Sequence, residues 1–199
     1  MAEWSDWFVG KDFTADWTSS RFPLWSSTFA ERRNEVAAIL EVGSWEGRSA
    51  IFFLNFFAQA NLTCVDPFAP SARYDLPAWA DAIARSEGRF DANLAEFGAR
   101  CRKLKATSFE GLGQLAIEQR RFDLIYVDGS HHSVDVYADA AMSWPLLSSG
   151  GALIFDDYDW RGMPNPEDQP KPGIDAFLSA DIGPFRELHR GGQIIVAKG

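Results

Sequence analysis

The chain has 199 residues, a formal net charge of −9 and 46% hydrophobic residues. That length and apolar content suit one domain with a full core, and the acidic balance argues against a broad polyanion-binding face, so nucleic acid is not an expected partner. The two cysteines, Cys64 and Cys101, are too few for a disulfide framework and match no metal-ligand spacing, which leaves reduced thiols of the kind cytosolic proteins keep. Residues 1–10 carry acids and tryptophans where a signal peptide needs basic residues. No run approaches the ~18 apolar residues of a membrane span. The expectation is a soluble, cytoplasmic protein with no membrane partner.

In chain order, residues 1–30 are crowded with rings: Trp4, Trp7, Phe8, Phe13, Trp17, Phe22, Trp25 and Phe29. A disordered tail would be poor in them. They read as an ordered arm packed on a main domain of residues 31–199, either covering core or forming a lid over the ligand with Trp17 nearest the site. Residues 39–47 (Ile-Leu-Glu-Val-Gly-Ser-Trp-Glu-Gly) join an apolar run to a glycine turn, and residues 48–54 are apolar enough for a buried helix. Strand, glycine turn and helix in that order open a nucleotide-binding parallel sheet. Gly43 and Gly47, lacking a Cβ, would let the backbone pass close to a ligand. Asn61–Asp66 reads as a second strand ending in an acid. Asp66 follows Glu41 by 25 positions, close to the ~20-residue spacing at which an acid meets ribose hydroxyls.

Residues 69–102 form a helical insertion, with Gly88 and Gly98 as breaks, and residues 104–109 read as a third strand and its turn. Ser108 and Phe109 are then placed to flank an adenine. Residues 121–129 make a fourth strand closing on Asp128, followed by Ser130, His131 and His132. A helix over about 134–147 should end at Gly150-Gly151, and residues 152–156 form the fifth strand, followed by Asp157. Beyond a proline-marked loop and a short helix at 174–179, Phe185–Arg190 and residues 193–198 flank Gly191-Gly192 as a hairpin. The class is α/β: an open seven-stranded sheet, mostly parallel with a C-terminal antiparallel hairpin, and helices on both faces.

In such sheets ligands bind beyond the carboxyl ends of the strands. Four strands close on acids, Glu41, Asp66, Asp128 and Asp156, which points to a shared polar rim there. Asp157 would face the same site as Asp156 only if the strand bends. Two or three convergent carboxylates suit Mg²⁺, Mn²⁺ or Ca²⁺, the alternative being separate loop caps. His131, three residues past Asp128, has the type and place of a general base. A nicotinamide enzyme would need Gly-x-Gly-x-x-Gly, a serine hydrolase Gly-x-Ser-x-Gly and a phosphate-loop NTPase Gly-x-x-x-x-Gly-Lys; none occurs.

With these residues in place, the chain resembles the class I S-adenosylmethionine-dependent methyltransferases. Residues 41–47 look like their acid-x-Gly-x-x-x-Gly motif, and Asp66 falls where that family's second strand carries its ribose acid. Val127-Asp128-Gly129-Ser130-His131 with Asp156-Asp157 is similar to bacterial small-molecule O-methyltransferases with a VDGxH…DD pattern. The resemblance implies a Rossmann-like fold with S-adenosyl-L-methionine over Glu41, Gly43, Ser44, Gly47, Asp66, Ser108, Phe109 and Asp128. It further implies Mg²⁺ (or Mn²⁺ or Ca²⁺) on Asp128, Asp156 and Asp157, with His131 and Asp128 in catalytic roles. The implied reaction is methyl transfer to a hydroxyl of a small-molecule substrate. The alternatives are a metal-independent N- or carboxyl-methyltransferase, or a silent cofactor-binding or oligomerisation module. The phenylalanines at 52, 53, 56 and 57 are compatible with a homodimer interface or with burial between sheet and arm.

Overall fold

A computed structural model describes residues 4–70 and 79–199. Seven strands form one sheet: β1 (Ala38–Val42), β2 (Asn61–Asp66), β3 (Cys101–Lys105), β4 (Phe122–Val127), β5 (Leu147–Phe155), β6 (Phe185–Arg190) and β7 (Ile194–Lys198). Their order is β3-β2-β1-β4-β5-β7-β6. The first five are parallel, while β7 runs antiparallel to both β5 and β6. The strand order reverses between β1 and β4, the switch point at which open sheets of this kind leave a crevice for ligand.

Strand alternation divides the core in two. Ile39, Cys64, Leu124, Tyr126, Ile154 and Ile195 face α1 (Phe22–Thr28), α2 (Arg48–Phe56) and α3 (Ala80–Leu94). Leu40, Val42, Val65, Ile125, Val127 and Leu153 face α4 (Ser108–Ile117), α5 (Ser133–Ser143) and α6 (Pro170–Ser179). The arm belongs to the first core. Phe22, Trp25 and Phe29 are fully buried, and Trp4, Trp7, Phe8 and Phe13 pack on the same cluster. Phe22 stacks on Phe52 at 4.4 Å and Trp25 on Phe53 at 4.8 Å. The phenylalanines of α2 are therefore covered by rings of their own chain.

Several boundaries differ from the sequence expectation for local reasons. The third strand is Cys101–Lys105, not 104–109, because Thr107 caps α4 in a reciprocal capping box with Glu110. Thr-x-x-Glu is itself that signature. Gly88 lies inside α3, whereas Gly98 does break the chain, at φ 51°. Gly150 and Gly151 do not stop a helix. α5 ends at Ser143, a 3₁₀ turn holds Trp144–Leu146, and the two glycines lie within β5 at an irregularity opposite β4. α6 starts at Pro170, since proline is well tolerated in a first turn. Of the helical insertion expected over residues 69–102, residues 71–78 lie outside the described residues.

Candidate active site

The glycine turn after β1 is built by close backbone approach. Gly43 has φ +84°, and a Cβ placed on it would lie 2.1 Å from the Asp128 carbonyl oxygen. Its N–H donates to the Val65 carbonyl at 2.9 Å, while the Asp128 N–H donates to Val42 at 2.8 Å. The turn thus zips the ends of β2, β1 and β4 together. Gly43→Ala would force apart two backbone segments at a left-handed φ, and we expect a loss of about 2–4 kcal/mol, read as a lowered urea midpoint.

Asp66 holds this turn. Its Oδ2 accepts the N–H groups of Ser44 and Trp45 at 2.8 and 2.9 Å, and its Oδ1 accepts that of Phe68 at 2.6 Å. A carboxylate offers about four lone-pair sites, so a further donor can still be met. Burial pushes its pKa up. Glu41, expected on the polar rim, lies instead in the core beneath the turn. It is fully buried, accepting from Ser49 Oγ at 2.5 Å and Cys64 Sγ at 3.4 Å. Burial raises its pKa to about 7. Glu46 is also buried, and it binds Thr14 Oγ1 at 2.6 Å and Arg89 Nη1 at 2.7 Å. It ties the arm and α3 to the glycine turn, a role the sequence did not suggest.

Glu41 carries a stability prediction, as does Asp139 on α5, which burial likewise raises to about 7. Between the ordinary carboxylate pKa and 7 the folded state holds these protons and the unfolded state has released them. Stability contributed by the protonated acids is therefore present at low pH and lost as pH rises through about 7. The protein should melt at a higher temperature at pH 5.5 than at pH 8, and Glu41→Gln should flatten that difference. A difference unaltered by the substitution would dismiss Glu41 as its source.

On the next strands, Asp128 follows β4 and Asp156 follows β5, in adjacent register. The Tyr126 hydroxyl lies between them, 2.8 Å from Asp128 Oδ2 and in a short contact with Asp156 Oδ2. One O–H cannot donate twice, so the second contact needs a proton on a carboxyl group. Burial first, then repulsion from a neighbouring acid, raises both: Asp156 acts on Asp128, and Asp157 on Asp156. Asp157 has φ +56°, the bend that brings it to the same site. Its Oδ2 lies 2.6 Å from His131 Nε2, and the His131 ring centroid is 4.7 Å from that of Trp160.

Three ligand-type residues converge: Asp128, His131 and Asp157 offer atoms within 4.8 Å of one another. Asp156, expected among the metal ligands, stands outside this set. Its oxygens accept from Tyr126 and from the Asp157 N–H at 2.7 Å, and Arg21 Nη2 approaches to 3.6 Å. His132 turns toward Asp168, at 3.3 Å. Ser108 opens α4, and Phe109 beside it is 73% exposed. Arg21 and the ring cluster in which Trp17 lies 6.0 Å from Trp45 and 5.1 Å from Trp79 were not legible as partners, because each joins segments distant in sequence.

A 3-2-1-4-5-7-6 sheet with a glycine turn at its switch point and acids on the neighbouring strand ends defines the class I S-adenosylmethionine-dependent methyltransferase fold. The profile of the family described as a methyltransferase domain matches residues 40–158, and the chain belongs to that family. Uncharacterized protein R132 of Acanthamoeba polyphaga mimivirus is 26% identical over 149 residues, covering 72% of this chain and 59% of that protein. Among solved structures, one from Staphylococcus aureus described as a caffeoyl-CoA O-methyltransferase has a TM-score of 0.67 at 18% identity, over 93% of this chain and 86% of that one. The MycE methyltransferase of the mycinamycin pathway, in complex with Mg and SAH, has a TM-score of 0.63 at 18% identity, over 98% and 53%. The Bacillus cereus O-methyltransferase in complex with SAH has a TM-score of 0.65 at 15% identity, over 94% and 84%. Among the described residues no helix is long and apolar enough to cross a membrane.

Proposed function

We propose that the protein transfers a methyl group from S-adenosylmethionine to a hydroxyl of a small molecule, with help from a divalent cation. The observation that carries this reading is the convergence of Asp128, His131 and Asp157 beside the Gly43 turn. On this reading Gly43, Ser44 and Gly47 hold the methionine end, Asp66 meets the ribose, and Ser108 and Phe109 flank the adenine. The SAH-bound relatives support the cofactor, which would supply a methyl group already activated on a sulfonium. The two carboxylates suit a hard divalent cation that takes oxygen donors. Asp128 and Asp157 would hold it, with Asp156 next in line, and its charge would lower the pKa of the acceptor hydroxyl.

The chain's own work is alignment and proton transfer. His131, its ring oriented by the Asp157 carboxylate, takes the hydroxyl proton. Trp160 and the arm with Trp17 wall the acceptor and exclude water, making the arm a lid as well as core cover. The test is methyl transfer from labelled S-adenosylmethionine to a panel of hydroxylated, amine and carboxylate compounds, with and without EDTA. We expect hydroxyl acceptors to turn over and EDTA to suppress them. Turnover unaffected by EDTA would favour a second, metal-free reading, in which the Asp157–His131 pair acts alone as the base. Transfer confined to amines or carboxylates would overturn the hydroxyl assignment.

A further inference from the structure

On the sheet face covered by the arm, Asp128, Asp156 and Gln193 form a row. Val127 pairs with Phe155 and Phe155 with Ile194, so the next residues along each strand are neighbours on the opposite face. Gln193 is fully buried, and its Oε1 accepts the Trp25 indole N–H at 2.8 Å. An indole nitrogen only donates. The amide orientation is therefore determined, and Gln193 Nε2 is a buried donor without an acceptor.

Arg21 sits one helical turn before Trp25 and so lies beside it. Its Nη1 would be 3.0 Å from a Cβ built on Gly192, next to Gln193. Its Nε is buried without a hydrogen-bond partner, and its ion pair to Asp156 is loose at 3.6 Å. Arg48, Arg89 and Arg100, by contrast, are hydrogen-bonded to the arm, the glycine turn and the end of α2. Asp156 stands beyond hydrogen-bond distance of Arg21, and its oxygens already take Tyr126 and the Asp157 N–H. Two buried N–H groups without a hydrogen-bond partner, those of Arg21 Nε and Gln193 Nε2, border a site otherwise lined by acids. Leaving such groups unmet is costly, and a planar anion with two oxygens matches an arginine fork.

We infer that Arg21 and Gln193 form a carboxylate-binding subsite on the arm side of the acid row. The inference rests on the methyltransferase reading. Two molecules could bring the carboxylate: the methionine end of the cofactor, or the acceptor. Trp25 fixes the orientation of the amide, and Asp156 keeps the guanidinium in place.

Calorimetry tests it with two ligand pairs in EDTA. The first is S-adenosylhomocysteine against its decarboxylated analogue. The second, on cofactor-saturated protein, is 3,4-dihydroxybenzoate against 3,4-dihydroxybenzyl alcohol. Wild type should prefer the carboxylate member of one pair by about 10- to 100-fold, and Arg21→Gln should erase the preference while the member lacking the carboxylate binds as before. Preference in the first pair assigns the carboxylate to the cofactor, in the second to the acceptor. Gln193→Glu keeps the acceptor for Trp25 but replaces the free donor with an oxygen, and should weaken the same member only. Equal binding of a member lacking the carboxylate to all variants reports an intact fold. No preference in either pair, or one that survives Arg21→Gln, overturns the subsite. A wild type that binds neither cofactor analogue overturns the cofactor reading instead, and the second pair, run on free protein, then decides the subsite.

Discussion

His131→Ala should lower kcat by about 10²–10⁴-fold, the usual weight of a positioned general base, while S-adenosylhomocysteine affinity changes little. The imidazole is held on two sides, by Asp157 at 2.6 Å and by the Trp160 ring. It therefore has a fixed direction, which a turn histidine at the surface would lack. His132 is the internal control: it pairs with Asp168, and His132→Ala should leave kcat within about threefold. The pH–rate profile decides the role. Loss of the lower limb in His131→Ala marks a base; a uniformly scaled profile with the limb intact would remove His131 from proton transfer.

The second large effect is expected at Asp157. Its backbone is left-handed at φ +56°, a region asparagine also tolerates, so Asp157→Asn removes charge without disturbing the bend. Metal-stimulated turnover should fall about 10²-fold, and the Mg²⁺ concentration for half-activation should rise at least about tenfold. Asp156→Asn should cost less metal affinity, because that carboxylate is engaged by Tyr126 and Arg21. Equal losses in Mg²⁺ affinity would place both acids on the cation. Turnover by Asp157→Asn that is reduced yet indifferent to EDTA would confine Asp157 to orienting His131.

The layers, the direction of the first five strands, the closing hairpin and the acids at the strand ends were legible in the sequence. Each rests on short-range chemistry: apolar alternation, glycine turns and acids at strand ends. Thr107 and Glu110 carried a further local signal, the capping box that moved the third strand forward. Which acids share a site depends on tertiary packing. Glu41 and Asp128 look alike in sequence, yet Glu41 lies in the core against Ser49 of α2, while Asp128 meets His131 and Asp157 at the crevice. The bend at Asp157, the withdrawal of Asp156 behind Tyr126 and the arrival of Arg21 and Trp25 over Gln193 all join residues far apart along the chain. The last of these comes from the packing of the aromatic arm on the sheet, a contact to which no local pattern commits.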